Sequence, residues 1–289
     1  MIDQTTPSPR RRELAADAAT PAEMLAELAA DSNLHVRRAA ANNPSTPADL
    51  LRLMRRAGAS STLAGRGAPD ATLDLEGLRS LAGMGPWGRE LVARHPATPA
   101  GLLERLMTEH AGESVGLRRA IAGHANCPLS VIASLCVDAD ADVRRAAGRH
   151  TAGDPAVLED LRDAGASADL GEVAEPRPMT PDRIAAVASL GPWGRTLASR
   201  HPNASTDLLD TLAERLTPSV RAGLAVNPNA SASLLRRVAE PLDPSIATSL
   251  AEHPNTPIEL LTELIELPDL NVRTRVAAHP GLRLHDKLL

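Results

Sequence analysis

The chain has 289 residues with no Phe or Tyr, two Trp, 43% hydrophobic residues and 24 Pro. Any core is therefore aliphatic, and a proline content above the usual share of roughly 5% needs a structural cause. Net charge is −5, from 31 basic and 36 acidic residues, too near neutral for a protein that coats a polyanion, although a local basic stripe can hide in the sum.

From the N-terminus, residues 1–12 read as a polar, disordered tail ending in Arg10-Arg11-Arg12, with no apolar stretch resembling a signal peptide. No apolar run approaches the length that a membrane span needs, so none is expected. From residue 13 to 289 the chain repeats itself and reads as a single domain. VRRAAANNPSTPADLL begins at Val36, VRAGLAVNPNASASLL at Val220, IATSLAEHPNTPIELL at Ile246 and VRTRVAAHP at Val272. The proline of the Asn-Pro or His-Pro step falls at Pro44, Pro96, Pro202, Pro228, Pro254 and Pro280, with spacings of 52, 106, 26, 26 and 26. Weaker copies lie near Ala18, Pro69, Ala125, Thr151 and Pro178. About eleven such units fill nearly the whole chain and leave nothing for a separate catalytic domain.

Each unit predicts two helices. The first opens on a short polar residue three before the Val or Ile position, as in Thr217-Pro218 and Asp243-Pro244, with Asp140 and Asp269 in the same register. Such a side chain accepts a bond from an unpaired helix N–H, and Pro has no N–H to orphan. The second opens on Thr-Pro at 20–21, 46–47, 98–99, 180–181 and 256–257, where each threonine is expected to cap; Glu23 and Glu259, three positions on, would complete capping boxes. These steps account for the proline excess. Apolar residues then fall six, seven and ten after the anchor, as in Leu50, Leu51 and Met54 or Leu260, Leu261 and Leu264. In the first helix Ile246, Leu250 and His253, or Val272, Val276 and His279, share one stripe. Stripes so narrow must be covered by neighbouring units, which predicts an all-α solenoid of two-helix repeats.

The recurring Val-Arg, Ala-rich run, Asn/His-Pro-x-Thr-Pro-x-x-Leu-Leu resembles the leucine-rich repeat variant family, a HEAT-like group, over about residues 13–289. The resemblance implies stacked α/α or α/3-10 units in a right-handed superhelix. The N-terminal iron–sulfur domain of some members does not carry over, because no Cys precedes Cys127.

A longer period overlies the short one. Gly85-Pro86-Trp87-Gly88-Arg89 returns as Gly191-Pro192-Trp193-Gly194-Arg195, and Ala57-Gly58-Ala59-Ser60 as Ala164-Gly165-Ala166-Ser167, shifts of 106 and 107 that define two four-unit modules. In both, residues 57–69 and 164–178 lose the Val-Arg signal, as longer loops, bends or drifted copies would.

Three residue columns are candidates for function. An arginine stands seven before the anchor at Arg37, Arg89, Arg118, Arg144, Arg195, Arg221 and Arg273. It would either bond helix-end carbonyls and cap carboxylates, or form a ladder that grips phosphates or acidic side chains. Asn43, His95, His124, His150, His201, Asn227, His253 and His279 precede the anchor. Helices pack about 8–10 Å apart, too far for successive units to share one metal ion, so this column is read as backbone-bonding and no metal is expected. Trp87 and Trp193 are candidates for packing or for a partner contact. Two cysteines, Cys127 and Cys136, exclude a disulfide framework and a four-thiolate site. Placed on one helix they would stand roughly 13 Å apart, beyond disulfide reach, consistent with a reduced, cytoplasmic protein.

No Gly-rich phosphate loop, Gly-x-Ser-x-Gly elbow or His-Glu-x-x-His occurs. The sequence therefore predicts a non-enzymatic scaffold without cofactor, binding a protein or peptide through the arginine column with Trp87 and Trp193, a column that would suit an acidic partner. The alternative is a nucleic-acid-binding solenoid resembling the HEAT-like alkylation-repair glycosylases, with the ladder on phosphates. Its weakness is an inventory of two aromatic residues, since base recognition commonly uses stacking.

Overall fold

A computed structural model describes residues 6–150 and 154–285. Among the described residues the chain folds into 20 α-helices and one 3-10 helix, with no strand. Contacts divide it into two compact units, residues 1–135 with 142–153 and residues 136–141 with 154–289.

The first unit contains α1 (Ser8–Ala16), α2 (Ala22–Ala29), α3 (Leu34–Asn42), α4 (Ala48–Arg56), α5 (Leu75–Met84), α6 (Pro86–Arg94), α7 (Ala100–His110), α8 (Val115–Ala122), α9 (Leu129–Leu135) and most of α10 (Ala141–Gly148). The second contains α11 (Pro155–Asp163), α12 (Pro181–Leu190), α13 (Pro192–Arg200), α14 (Thr206–Leu212), the 3-10 turn Ala213–Arg215, α15 (Pro218–Val226), α16 (Ala232–Val238), α17 (Pro244–Glu252), α18 (Ile258–Ile265), α19 (Leu270–Ala278) and α20 (Pro280–His285).

Within each unit the helices pack as hairpin neighbours, α2 on α3, α5 on α6, α12 on α13 and α18 on α19. First helices pack on first helices, α1 on α3 and α6 on α8 in one unit, α13 on α15, α15 on α17 and α17 on α19 in the other. The stripes read from the sequence are buried at Leu50 and Met54 in α4, Leu260, Leu261 and Leu264 in α18, Ile246 and Leu250 in α17, and Val272 and Val276 in α19, whereas Leu51 is only half-buried. Each such side chain removed from water contributes about 1.5–3 kcal/mol, but only because the next hairpin covers it.

Thr217, Asp243 and Asp269 cap α15, α17 and α19 as expected, accepting bonds from Val220 N–H, Ser245 N–H, and Asn271 with Val272 N–H. The Thr-Pro threonines correct the sequence reading. Pro21, Pro47, Pro99 and Pro257 hold the N-cap position of the second helix. The hydroxyls of Thr20, Thr46, Thr98 and Thr256 turn back and donate to the carbonyls of Leu14, Ala40, Val92 and Leu250, each at 2.6 Å. They close the end of the first helix rather than the start of the second, so no capping box forms at Glu23 or Glu259. Thr180 alone acts as expected, accepting from Arg183 N–H.

Two second helices, α5 and α12, are preceded by an ordered loop instead of a first helix, over residues 57–72 and 164–179. Each loop has one isolated antiparallel bridge, Ala59 with Arg66 and Ala166 with Val173. Gly58 and Gly165 sit at φ of 95° and 98°, where an L side chain is strained. Leu63 and Leu170 also take positive φ yet are fully buried, so core burial outweighs the roughly 1–2 kcal/mol cost of the left-handed backbone. The N-terminal segment also differs from expectation. The chain is helical from Ser8, and Arg11 is buried with its Nε donating to Asp31 Oδ2 at 2.7 Å. Residues 1–5 and the repeat anchor near Thr151 lie outside the described residues.

Candidate functional site

The Asn/His column is a chain of inter-repeat bonds. Nε2 of His124, His150, His253 and His279 meets the backbone carbonyl of the preceding column residue, His95, His124, Asn227 and His253, at 2.7–2.9 Å. His95 and His201 meet the carbonyls of Asp70 and Arg177. On the other side of the ring, Nδ1 accepts the backbone N–H two positions on, from Ala97, Asn126, Asn203, Asn255 and Gly281. A backbone N–H can only donate and a carbonyl only accept, so where both bonds are made, at His95, His124, His201, His253 and His279, Nδ1 is the acceptor and Nε2–H the donor. Asn43 and Asn227 reproduce both bonds with an amide. Burial lowers the His201 pKa, with the Arg177 carbonyl opposing. Both ring nitrogens of His95, His124, His201, His253 and His279 are thus engaged by backbone. Among the described residues no group of three or more His, Cys, Asp or Glu could hold a metal ion.

A second column, one position beyond the anchor, supports the first. Asn126, Asn203 and Asn255 donate to the carbonyls of Thr98, Met179 and Ala230.

The arginine column is also largely turned inward. Arg37, Arg89 and Arg144 are buried. Arg37 donates to the carbonyls of Asp31, Ser32 and Leu63 and lies 4.2 Å from the Trp87 ring centroid. Arg89 donates to the Ala82 carbonyl and, through Nε and Nη2, bidentately to Glu113 at 2.7 and 2.8 Å. Arg118 donates to the Ala111 carbonyl, and Arg221 to the carbonyls of Pro241 and Glu240. Arg11, seven before the weak anchor at Ala18, joins the column through Asp31. Several members thus tie their own helix to a turn about one repeat further along. Arg273 is exposed on α19.

Arg195 is the exception inside the stack. Its Nε is buried without a hydrogen-bond partner. Its counterpart Arg89 owes its carboxylate to the turn before α8. The interval from His95 to His124 is 29 and that from His201 to Asn227 is 26, so this turn is shorter by three in the second module. Counting back from the caps Ser114 and Thr217 puts Leu216 where Glu113 stands.

Trp87 and Trp193 are 5% and 8% exposed, which takes both indoles away from the surface. Their backbone N–H groups donate to the Ala30 and Val137 carbonyls at 3.0 Å. The flanking Gly88 and Gly194 leave room for another helix: a Cβ there would collide with the Leu81 and Val187 carbonyls. Cys127 and Cys136 are free and buried, and desolvation pushes both thiols up to about 11.

Open clefts lie between second helices, at the same place in both units. Between α5 and α7 one cleft, about 160 Å³, is lined by Ala82, Gly83, Leu102, Arg105 and Leu106. A wider one of about 600 Å³ adjoins it and includes Arg89 and Glu113. Between α12 and α14 the counterparts of those five one module later, Ala188, Ser189, Leu208, Thr211 and Leu212, line a cleft of about 350 Å³ that contains Arg195, Glu214 and Arg215. The sequence reading missed these clefts, although the shift of 106 and the shortening from 29 to 26 were both visible in it. Compared with protein-family models, curated proteins and solved structures, the chain matches none.

Proposed function

We propose that the protein is a non-enzymatic scaffold that holds another polypeptide in the clefts between its second helices. The observation that carries this reading is the recurrence of one open, apolar-floored cleft with charged rims at equivalent places in both units. Small ligands favour enclosed pockets, whereas a peptide side chain needs a shallow groove with a few placed polar groups. The His and Asn columns and several of the Arg hold repeat to repeat, and the Thr hydroxyls close the first helices, which leaves the cleft rims as the chemistry on offer. In this reading the binding residues shift from the whole arginine column with Trp87 and Trp193 to Arg195 and the cleft rims. A cytoplasmic setting accords with two buried, free thiols.

The nucleic-acid alternative draws less support, because Arg37, Arg89 and Arg144 are buried and cannot line a phosphate track. A photoreactive residue placed at Arg105 or Thr211, and as a control at exposed Ser45, tests the proposal in cells of the source. The expected result is a discrete polypeptide adduct from the two cleft positions and none from the control. No adduct, or an adduct to nucleic acid, would refute it.

A further inference from the structure

We infer that the α12–α14 cleft is a seat for one carboxylate side chain of a partner polypeptide, with Arg195 as its ligand; this rests on the scaffold reading above. The chain supplies its own comparison. In the first unit the column arginine Arg89 receives Glu113 bidentately, from the turn before α8. In the second unit the same arginine is present on the same helix, but the turn is shorter by three and Leu216 replaces the acid. Arg195 keeps its place and loses its carboxylate. Among the described residues its guanidinium has no ion pair, and its Nε is buried without a partner.

A buried, unbonded guanidinium N–H is costly, and the planar fork of arginine matches a carboxylate better than any neutral group. The space beside Arg195 is a cleft of about 350 Å³ floored by Ala188, Leu208 and Leu212. Glu214 and Arg215 stand on its rim, where their charges offset each other and leave Arg195 as the net cation. A glutamate entering from outside would reproduce the Arg89–Glu113 pair in trans, while an aliphatic neighbour in the same peptide covers Leu208 and Leu212. An aliphatic floor next to a single guanidinium fits an acidic side chain in an apolar context, and fits a highly hydrated free anion less well.

The test uses the full chain and two capped tripeptides, acetyl-Leu-Glu-Leu-amide and acetyl-Leu-Gln-Leu-amide, followed by the arginine Nε–H signals in nitrogen-15 NMR. The Arg195 signal is assigned by its loss in Arg195→Lys. The Glu peptide is expected to shift that signal in a saturable way and to bind roughly tenfold or more tightly than the Gln peptide. Arg195→Gln should abolish this preference, whereas Arg89→Gln, whose carboxylate is already supplied in cis, should leave it. A signal unmoved up to the peptide's solubility limit, or equal responses to the two peptides, would overturn the inference. Inorganic phosphate shifting Arg195 as strongly as the Glu peptide would mark a general anion site and overturn it too. If the photoadducts form while Arg195 stays silent, the scaffold reading survives and the carboxylate seat does not.

Discussion

Replacing His253 by Ala and by Asn separates a hydrogen-bonding role for the column from simple space filling. His253 is 4% exposed. Its Nε2–H donates to the Asn227 carbonyl at 2.7 Å and its Nδ1 accepts Asn255 N–H at 3.2 Å. His253→Ala leaves both backbone groups without these partners and opens a cavity the size of an imidazole. An unsatisfied neutral group costs about 1–3 kcal/mol, so with the cavity the expected loss is about 3–5 kcal/mol. Asn at the equivalent position 227 accepts Asn229 N–H at 2.9 Å and donates to the Ser199 and His201 carbonyls at 2.9 and 3.0 Å. His253→Asn should therefore cost about 1.5 kcal/mol or less. Urea midpoints followed by circular dichroism, together with hydrogen exchange at Asn255 N–H, measure the difference. Equal destabilisation by the two substitutions, or an Ala variant within about 1 kcal/mol of the parent, would refute the hydrogen-bonded column.

Acidification should weaken the second unit through His201. Burial lowers its folded-state pKa below the ordinary 6.5, so between the two values the unfolded chain binds more protons and stability falls as pH falls. The contribution is fully present above pH 6.5 and is lost as pH drops through the lower folded value; urea midpoints between pH 7.5 and 5 should show a slope that His201→Asn reduces. Gly88→Ala and Gly194→Ala should each lower the thermal midpoint sharply, because the new methyl strikes a helix carbonyl. Gly83→Ala, with nothing within 4 Å of its Cβ, should be neutral or stabilising by about 0.5–1 kcal/mol. Cys127 and Cys136, with pKa pushed up to about 11, should react with a thiol reagent at pH 8 only after denaturant is added; rapid reaction of the folded protein would contradict their burial.

The apolar stripes and the first-helix caps were legible because both are local: periodicity and a short polar residue before Pro are written in adjacent positions. The threonines were misread because their choice of partner is not local. A Thr hydroxyl before Pro can cap the coming helix or close the preceding one, and the tight turn that follows a first helix brings the preceding carbonyl to 2.6 Å. Thr180 follows a loop and has no such helix end behind it, so it caps forward. The same limit hid Arg11. Its partner Asp31 lies in the following repeat, and a run of three arginines near a terminus looks solvated until the register seven before Ala18 is counted. The loops at 57–72 and 164–179 were visible only as a lost Val-Arg signal, since Leu63 and Leu170 at positive φ have no residue-type signature.

Arg200 shows why an unbonded arginine alone does not define a site. Its Nε is also buried without a hydrogen bond, and its counterpart Arg94 has a carboxylate, Glu90, at 3.2 Å. At the place of Glu90 the second module has Thr196, whose hydroxyl donates to the Pro192 carbonyl. Glu90 occupies room that exists because residue 116 is glycine: a Cβ there would lie 2.8 Å from Glu90 Oε2. Counting from the helix caps, the residue equivalent to Gly116 is Ser219, so the loss of the acid coincides with a side chain where the acid would lie. At Arg195, in contrast, the lost acid leaves open volume. Thr196→Glu alone should therefore gain little stability. Thr196→Glu with Ser219→Gly should recreate the first-unit pair, with a coupling of about 0.5–1 kcal/mol in a double-mutant cycle of urea midpoints. Additive effects of the two substitutions would show that Ser219 does not exclude the acid, and the distinction drawn between Arg200 and Arg195 would fail.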